Sequence, residues 1–286
     1  MHSDLRSVAL FMTIFLLVSG SPCWAQTNVE RPITTNSAVL LAVNAALGGA
    51  TAGIGRALHG KPVRRGVAGG ALAGVVVFSG KWVASGNRDA TNLVGRSIAA
   101  VGSSGIRNAA ADQPLLSDVA LAYGPMRFHI ARENRYRPRV KLDLATSIVM
   151  IHEFGKSEQE FEAARSAVAG VPIFRVDSSK RSGAVGGSQI AGVVTYRTAS
   201  RYESTEPARV KRMIGHELVH VIQSDALFNT YAAPLEKKLF TILPLGRTLH
   251  RYVDIGVHVP VWSGVNSMVA YRYRPWEWEA RTLAGK

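Results

Sequence analysis

The sequence of 286 residues contains almost no cysteine, and the little it has lies near the N-terminus. Its one cysteine, Cys23, falls within residues 1–25, where an apolar run is followed by small residues at Cys23 and Ala25. This pattern is typical of a secretory signal peptide cleaved before Gln26. The mature chain would then have no thiol, which excludes disulfides, cysteine zinc sites and cysteine nucleophiles. An uncleaved membrane anchor is the alternative for the same residues.

Acidic residues are also scarce. The chain has 20 Asp and Glu against 34 Lys and Arg, which gives a formal net charge of +14 at pH 7. The basic residues are scattered, whereas a nucleic-acid-binding protein normally concentrates them on one element, so we expect no nucleic-acid partner. Behind an export signal, the positive charge favours attraction to an anionic membrane or a cell-envelope polymer. We therefore predict an exported protein of the periplasm or cell envelope, with membrane association as an option, and an exported chain without disulfides fits a bacterial periplasm.

Glycine, by contrast, is abundant between residues 37 and 86, after a short polar linker at residues 26–36. Small residues recur at every fourth position in two apolar arms: Ala45, Gly49 and Gly53 in the first, and Gly66, Gly70 and Gly74 in the second. Because each glycine within a helix costs roughly 1 kcal/mol relative to alanine, we expect a compensating close contact between two helices. The sequence therefore predicts a glycine-rich helical hairpin over residues 37–86.

The relation of this hairpin to a membrane is left open by the sequence. Each arm reaches about the minimum length that spans a bilayer, and the polar residues Asn44 and Lys81 interrupt the apolar pattern. A basic loop between the arms agrees with the positive-inside tendency. Both a membrane-inserted hairpin and a soluble hairpin packed on the rest of the chain remain compatible with this pattern.

Residues 87–286 mix helical and strand-like patterns, which predicts an α+β domain. A helix is expected over residues 87–111, ending near the GSSG turn, and another over 157–170 with Ser157 as its N-cap. Alternation and short β-branched runs predict strands elsewhere. These strand-like segments are residues 126–130, 139–154, 171–176 and 192–198.

The motif HELVH at residues 216–220 carries the strongest chemical signal. His216 and His220 are four residues apart, about one helical turn, so both imidazoles project from one helix face. This geometry suits two ligands of one zinc ion, with Glu217 beside the metal as a general base. The motif helix is expected to begin at residues 204–207, with Ser204 or Thr205 as its cap. The alternative is a helix that carries two satisfied surface histidines.

A catalytic zinc ion needs a third protein ligand and leaves a fourth position for water. The tail offers Glu277 and Glu279 directly after a predicted helix start at Arg274 and Pro275. Two carboxylates two residues apart point in different directions on a helix, so only one of them can bind the ion.

The string HELVHVIQ followed downstream by WEWEA resembles the gluzincins, especially bacterial predicted metallopeptidase domains with HELTHVVQ and E-x-E-A-D motifs. In those domains the first glutamate of the later motif is the third ligand, which here is Glu277, with Glu279 as the alternative. The resemblance implies a zincin-like fold, a Zn²⁺ cofactor and a peptide or protein substrate. It also implies that the substrate lies along an edge strand, for which residues 191–198 are the candidate. Where the family often has an aspartate that orients the first histidine, this chain has Arg281.

The sequence thus predicts a zinc-dependent metallopeptidase of the cell envelope, with His216, His220 and Glu277 as metal ligands and Glu217 as the catalytic base. The alternative is a non-enzymatic, membrane-associated envelope protein whose zincin-like domain is structural or degenerate. A weaker candidate for a second metal site is the set His250, Asp254 and His258, which are also spaced by four residues.

Overall fold

The computed structural model describes residues 36–86, 89–177, 186–198, 207–242, 246–259 and 274–285. The predicted signal peptide, nearly all of the linker, and the predicted caps Ser204 and Thr205 lie outside these residues. Within them the architecture is α+β, as the sequence predicts. The α-helices are α1 (Ser37–Leu58), α2 (Val63–Ala84), α3 (Asp89–Ala110), α4 (Leu144–Phe154), α5 (Ala163–Ala169), α6 (Pro207–Leu227), α7 (Ala233–Ile242), α8 (Gly246–His250) and α9 (Pro275–Ala284).

The strands form two small sheets. They are β1 (Asp118–Tyr123), β2 (Met126–Ala131), β3 (Pro138–Asp143), β4 (Gln159–Phe161), β5 (Ile173–Asp177), β6 (Gly186–Ile190), β7 (Val193–Thr198) and β8 (Val253–Asp254). The first sheet has the order β1-β2-β3-β8, with antiparallel pairs except for the parallel pair β3 and β8. The second has the order β4-β5-β7-β6, in which β5 and β7 are parallel and the outer pairs antiparallel.

A helical hairpin, α1 and α2, occupies the glycine-rich residues, and its arms are in backbone contact through the glycines. A Cβ added to Gly70 would lie 2.2 Å from the carbonyl oxygen of Gly48, and one added to Gly74 would lie 2.2 Å from the carbonyl oxygen of Asn44. Larger residues at these positions would therefore force the helices apart, which accounts for the repeat of small residues. The hairpin belongs to the same compact unit as the other described elements.

Helix α3 continues this close packing, and it confirms the predicted helix over residues 87–111 but not the predicted GSSG turn. The GSSG segment at residues 102–105 is helical and not a turn. A Cβ on Gly102 would lie 2.6 Å from the backbone nitrogen of Val77 and 2.7 Å from the carbonyl oxygen of Ala73. Gly102 therefore serves the contact between α2 and α3, and the helix runs on to Ala110.

Helix α6, which carries the HELVH motif, lies across one face of the second sheet. It begins at Pro207, in agreement with the start predicted near residues 204–207. A buried apolar cluster joins the sheet to the helix: Val171, Ile173, Val194 and Tyr196 from the sheet side, and Val210, Ile214, Leu218 and Val221 from α6. This packing fixes the back of α6, so the motif side chains leave the helix in defined directions.

Two segments differ from the predicted elements. Residues 144–154 form helix α4 instead of continuing the strand, because Asp143 caps a helix there and its side chain accepts a hydrogen bond of 3.0 Å from the backbone nitrogen of Thr146. The predicted helix over 157–170 is divided, with strand β4 ahead of the short helix α5. Tertiary pairing of β4 with β5 has overridden the local helical pattern.

The candidate edge strand, residues 191–198, also needs correction. Strand β7 lies inside the second sheet between β5 and β6, and among the described strands it is β6 that occupies the edge beside α6. Gly187 of β6 pairs with Tyr196 of β7, so the two positions face α6 together. The strand nearest the motif is thus the glycine-containing one.

Candidate metal site

His216 and His220 project from the same side of α6, as their spacing predicts. Their ring centroids are 4.7 Å apart and the rings are nearly perpendicular, at 87°. The two Nε2 atoms face each other at 3.1 Å. His220 is buried, whereas His216 keeps about one seventh of its side chain exposed (14%), so the pair is reachable from one side.

Helix α9 brings Glu277 to the two histidines. The helix begins at Pro275 after Arg274, which places Glu277 in its first turn. Glu277 Oε2 lies 3.3 Å from Nε2 of His216 and 3.4 Å from Nε2 of His220. A buried apolar cluster shared by the hairpin, α6 and α9 holds the tail helix in this position; its members are Leu40, Phe78, Val219, Ala280 and Leu283.

The three donor atoms have the spacing that a small tetrahedral ion requires. Two ligand atoms held about 2.0–2.1 Å from one tetrahedral zinc ion lie roughly 3.3–3.4 Å apart. The separations in this cluster are 3.1, 3.3 and 3.4 Å. Two imidazoles and one carboxylate also match the donors that zinc accepts in sites that retain an open position. The donor types and the separations of these residues therefore fit a zinc ion.

Glu217 follows the first histidine and points toward strand β6. Its side chain packs against Gly187, where an added Cβ would lie 2.6 Å from Oε1 and 2.7 Å from Cγ of Glu217. Burial raises the pKa of Glu217, and although His220 and His216 act in the opposite direction, the pKa stays raised. A carboxylate with a raised pKa is a better proton acceptor near neutral pH than an ordinary surface glutamate.

The pKa of His220 is also shifted. Burial alone would lower it, but the hydrogen bond to Glu277 and the negative charge of that carboxylate outweigh the burial, so the pKa is raised. In the metal-free protein, Glu277 therefore stabilises the protonated form of its neighbour. A metal ion that binds here must displace that proton.

Glu279, the alternative third ligand, points away from this cluster. Its carboxylate accepts hydrogen bonds from Lys81 Nζ (3.0 Å to Oε1 and 2.8 Å to Oε2), from Asn44 Nδ2 (2.7 Å) and from Gln223 Nε2 (2.7 Å). Burial would raise its pKa, yet Lys81 and these hydrogen bonds prevail and lower it. The structure thus places the two tail glutamates in two different environments, as the helical spacing predicts.

Sequence reasoning missed the residues that support His220. Nδ1 of His220 lies 2.8 Å from Oε1 of Gln223, and the Gln223 amide continues to Glu279 and thence to Asn44 and Lys81. The signal was present, since Gln223 follows His220 by three residues, a spacing at which helix side chains meet. Arg281, which stands where the resembling family often has an aspartate, is on the exposed side of α9.

The weaker candidate site is arranged differently from its prediction. His250 and Asp254 lie together with Glu236, and His258 instead packs edge-on against the ring of Phe228, with centroids 5.2 Å apart. The ammonium of Lys141 lies 2.8 Å from Oδ1 of Asp254 and 3.4 Å from both ring nitrogens of His250. The ammonium of Lys141 thus already lies where a metal ion bound by His250 and Asp254 would have to lie.

Comparison with protein-family models, with curated proteins and with solved structures finds no match for this chain. A proposal about function therefore rests on the donor set of His216, His220 and Glu277 and on the carboxylate of Glu217 beside it.

Proposed function

We propose that the protein is a zinc-dependent peptidase. The observation that carries the proposal is the group of three donor atoms, from His216, His220 and Glu277, that face one another at 3.1–3.4 Å with the carboxylate of Glu217 on the neighbouring flank of α6. Three protein ligands leave one position for water or substrate, which distinguishes a catalytic zinc site from a closed structural one.

The chemistry follows from the side chains. A zinc ion held by His216, His220 and Glu277 would supply Lewis-acid chemistry: it would polarise the scissile carbonyl and lower the pKa of a bound water to about 7. Glu217, whose pKa is raised by burial, takes the proton from the attacking water and passes it to the nitrogen of the leaving amine. His216, His220 and Glu277 contribute the ligands, and their attachment to two packed helices keeps them in position.

Strand β6 is the proposed docking edge for the substrate. It lies at the margin of the second sheet, and Gly187 brings its backbone against the side chain of Glu217. An extended peptide that adds to this edge would form main-chain hydrogen bonds and pass the metal site. A sheet above the motif helix, a glycine-containing edge strand and a third ligand from a later helix together support a zincin-like interpretation of the domain.

We place the protein in the cell envelope, in association with a membrane. Helices α1 and α2 are long and apolar enough to cross a bilayer by length and composition. The polar residues Asn44 and Lys81, which interrupt the apolar pattern, are buried against Glu279, and the outward faces carry exposed apolar side chains. Among these are Val39, Val43, Leu47, Leu72 and Trp82. Apolar faces of this kind favour contact with lipid.

The test is the metal content of the purified protein together with cleavage of a casein-type substrate, before and after Glu217→Gln. We expect stoichiometric zinc in both proteins and a loss of turnover of roughly 10²- to 10⁴-fold in the variant, because it removes the base and keeps the ligands. Zinc without Glu217-dependent cleavage would favour the non-enzymatic envelope protein, for which Arg281 in place of the acidic residue is the supporting feature. Absence of stoichiometric zinc from the folded protein would contradict the proposal.

A further inference from the structure

We propose that Lys81 of the glycine-rich hairpin, through Glu279 and Gln223, is a positioning residue for the metal ligand His220. Its role is to hold the imidazole in the tautomer that presents Nε2 to a metal. This inference rests on the proposed function and adds to it a task for the hairpin. The path crosses three helices, from α2 through α9 to α6.

The first step is an ion pair shielded from water. Lys81 and Glu279 are only 6% and 8% exposed, and Lys81 Nζ donates to Oε1 and Oε2 of Glu279 and, at 2.9 Å, to Oδ1 of Asn44. An ammonium group has three protons, and three acceptor atoms surround it here. Because the carbonyl oxygen of Asn44 accepts from Lys81, its amide nitrogen is the atom that donates to Glu279. The carboxylate is therefore fixed from two sides.

The second step orients an amide. Gln223 Nε2 lies 2.7 Å from Oε2 of Glu279 and 3.2 Å from the carbonyl oxygen of Trp276. A carboxylate and a backbone carbonyl only accept hydrogen bonds, so the amide nitrogen must face both of them. The opposite orientation would place the amide oxygen against two acceptors. Oε1 of Gln223 is therefore the atom that faces His220.

The third step sets the imidazole tautomer. Oε1 of Gln223 can only accept, and it lies 2.8 Å from Nδ1 of His220, so Nδ1 carries the proton. In the neutral ring the lone pair is then on Nε2, the atom that faces His216 and Glu277. Partners of this kind commonly fix the tautomer and direction of a metal-bound histidine. Here the path that orients the imidazole begins at Lys81, which lies in a different helix from His220.

The experiment uses the full chain and compares Lys81→Met with Lys61→Met, the same substitution at an exposed position in the turn of the same hairpin. Nitrogen–proton correlation spectra of the metal-free protein, recorded at an alkaline pH at which the imidazole is neutral, report the His220 tautomer, and competition with a chromophoric chelator reports zinc affinity. We expect the Nδ1–H tautomer and unchanged affinity in Lys61→Met. For Lys81→Met we expect a mixture of tautomers and zinc affinity weakened roughly 10- to 100-fold.

Lys81→Met leaves the Glu279 carboxylate buried without its cation, which can prevent folding. The double variant Lys81→Met/Glu279→Met removes both charges, and exchange of a buried pair for apolar residues of similar volume is commonly tolerated. It should show the same tautomer mixture and weakened zinc binding. An Nδ1–H tautomer with the affinity of the parent in this variant would overturn the inference while leaving the proposed function intact. If the parent itself binds no zinc, the proposed function fails, and the tautomer of the metal-free variants still decides the inference.

Discussion

Two groups of histidine and acidic side chains in this protein are alike in composition, but the donor atoms within each group have different surroundings. In the first, the donor atoms of His216, His220 and Glu277 face one another. In the second, His250, Asp254 and Glu236 are gathered around groups of the protein itself. The comparison makes the first group the better candidate for a metal site, because its lone pairs are left pointing at a common centre.

The side chains of the second group already form hydrogen bonds and ion pairs within the protein. Both oxygens of Glu236 accept backbone hydrogen bonds, from the nitrogens of Ile255, Gly256 and Val257, at 2.7–3.0 Å. Asp254 is held by Lys141 at 2.8 Å and by His129 at 3.2 Å, and this environment lowers its pKa to about 2 despite the burial that opposes the shift. The group therefore acts as an internal ion-pair cluster that links β8 to β2 and β3 of the same sheet.

Lys141→Ala tests that structural role and should have the largest effect on stability. It leaves the carboxylate of Asp254, which is 1% exposed, without its main partner, so we expect a loss of about 3–5 kcal/mol in the free energy of unfolding. Chemical denaturation measures it. The control is Lys61→Ala, which removes a lysine 4.0 Å from Asp112 in a pair whose two side chains are both exposed, and it should cost at most about 1 kcal/mol. Equal costs for the two variants would show that the second cluster is not a buried ion-pair centre.

His258 is the member of the predicted second set that the structure separates from it, and it gives a pH signature. Burial, with a smaller contribution from Arg127, lowers the pKa of His258 to about 4 from 6.5, against the opposing carboxylates of Asp143, Asp225 and Asp254. Between pH 6.5 and pH 4 the unfolded chain therefore binds this proton and the folded chain does not. The stability contributed by the neutral ring is present above pH 6.5 and is lost as pH falls toward 4, by on the order of 3 kcal/mol.

The measurement is the free energy of unfolding across that range for the parent and for His258→Gln. The variant should lose less stability between pH 6.5 and pH 4 than the parent, because its side chain does not titrate. A parallel pH dependence in the two proteins would place the acid sensitivity elsewhere.

Gly187→Ala tests the position of Glu217, the proposed base beside the first cluster, and should have the smallest effect. The new methyl group would lie within 3 Å of three Glu217 side-chain atoms and displace the carboxylate, while the proposed metal ligands are not among its nearest neighbours. We expect zinc to be retained and turnover to fall roughly 10- to 100-fold. Ser188→Ala is the matched control, because the next residue along a strand points to the opposite face. If Gly187→Ala cleaves substrate at the rate of Ser188→Ala, Glu217 does not depend on this contact.

Structural features that depend on neighbouring residues in the chain could mostly be predicted from the sequence. Close packing of the hairpin follows from the small-residue repeat, and the helix of Glu277 follows from Pro275 at its start. The incorrect predictions concern segments whose sequence pattern is compatible with two kinds of local structure. The apolar residues 144–154 resemble a continued strand, yet the cap at Asp143 makes them helical, and the GSSG segment serves helix packing instead of a turn.

The hydrogen-bonded path from Lys81 to His220 could not be predicted from the sequence, for a different reason. Each of its members looks ordinary alone, since a glutamine after a histidine, a lysine in an apolar arm and a second glutamate in the tail have many explanations. Only the fold places Lys81 within 3 Å of Glu279 and Glu279 within 3 Å of Gln223. The two polar interruptions of the hairpin, Lys81 and Asn44, thus share a partner that lies 198 and 235 residues away, which no local pattern contains.

The most direct test of the central claim is zinc per chain, measured on folded protein for the parent and for matched substitutions in the two clusters. The account predicts about one zinc ion per chain in the parent and in His250→Ala, and almost none in His220→Ala and Glu277→Ala, because two ligands hold the ion incompletely. Retention of zinc by both His220→Ala and Glu277→Ala, or its loss from His250→Ala, would contradict the account.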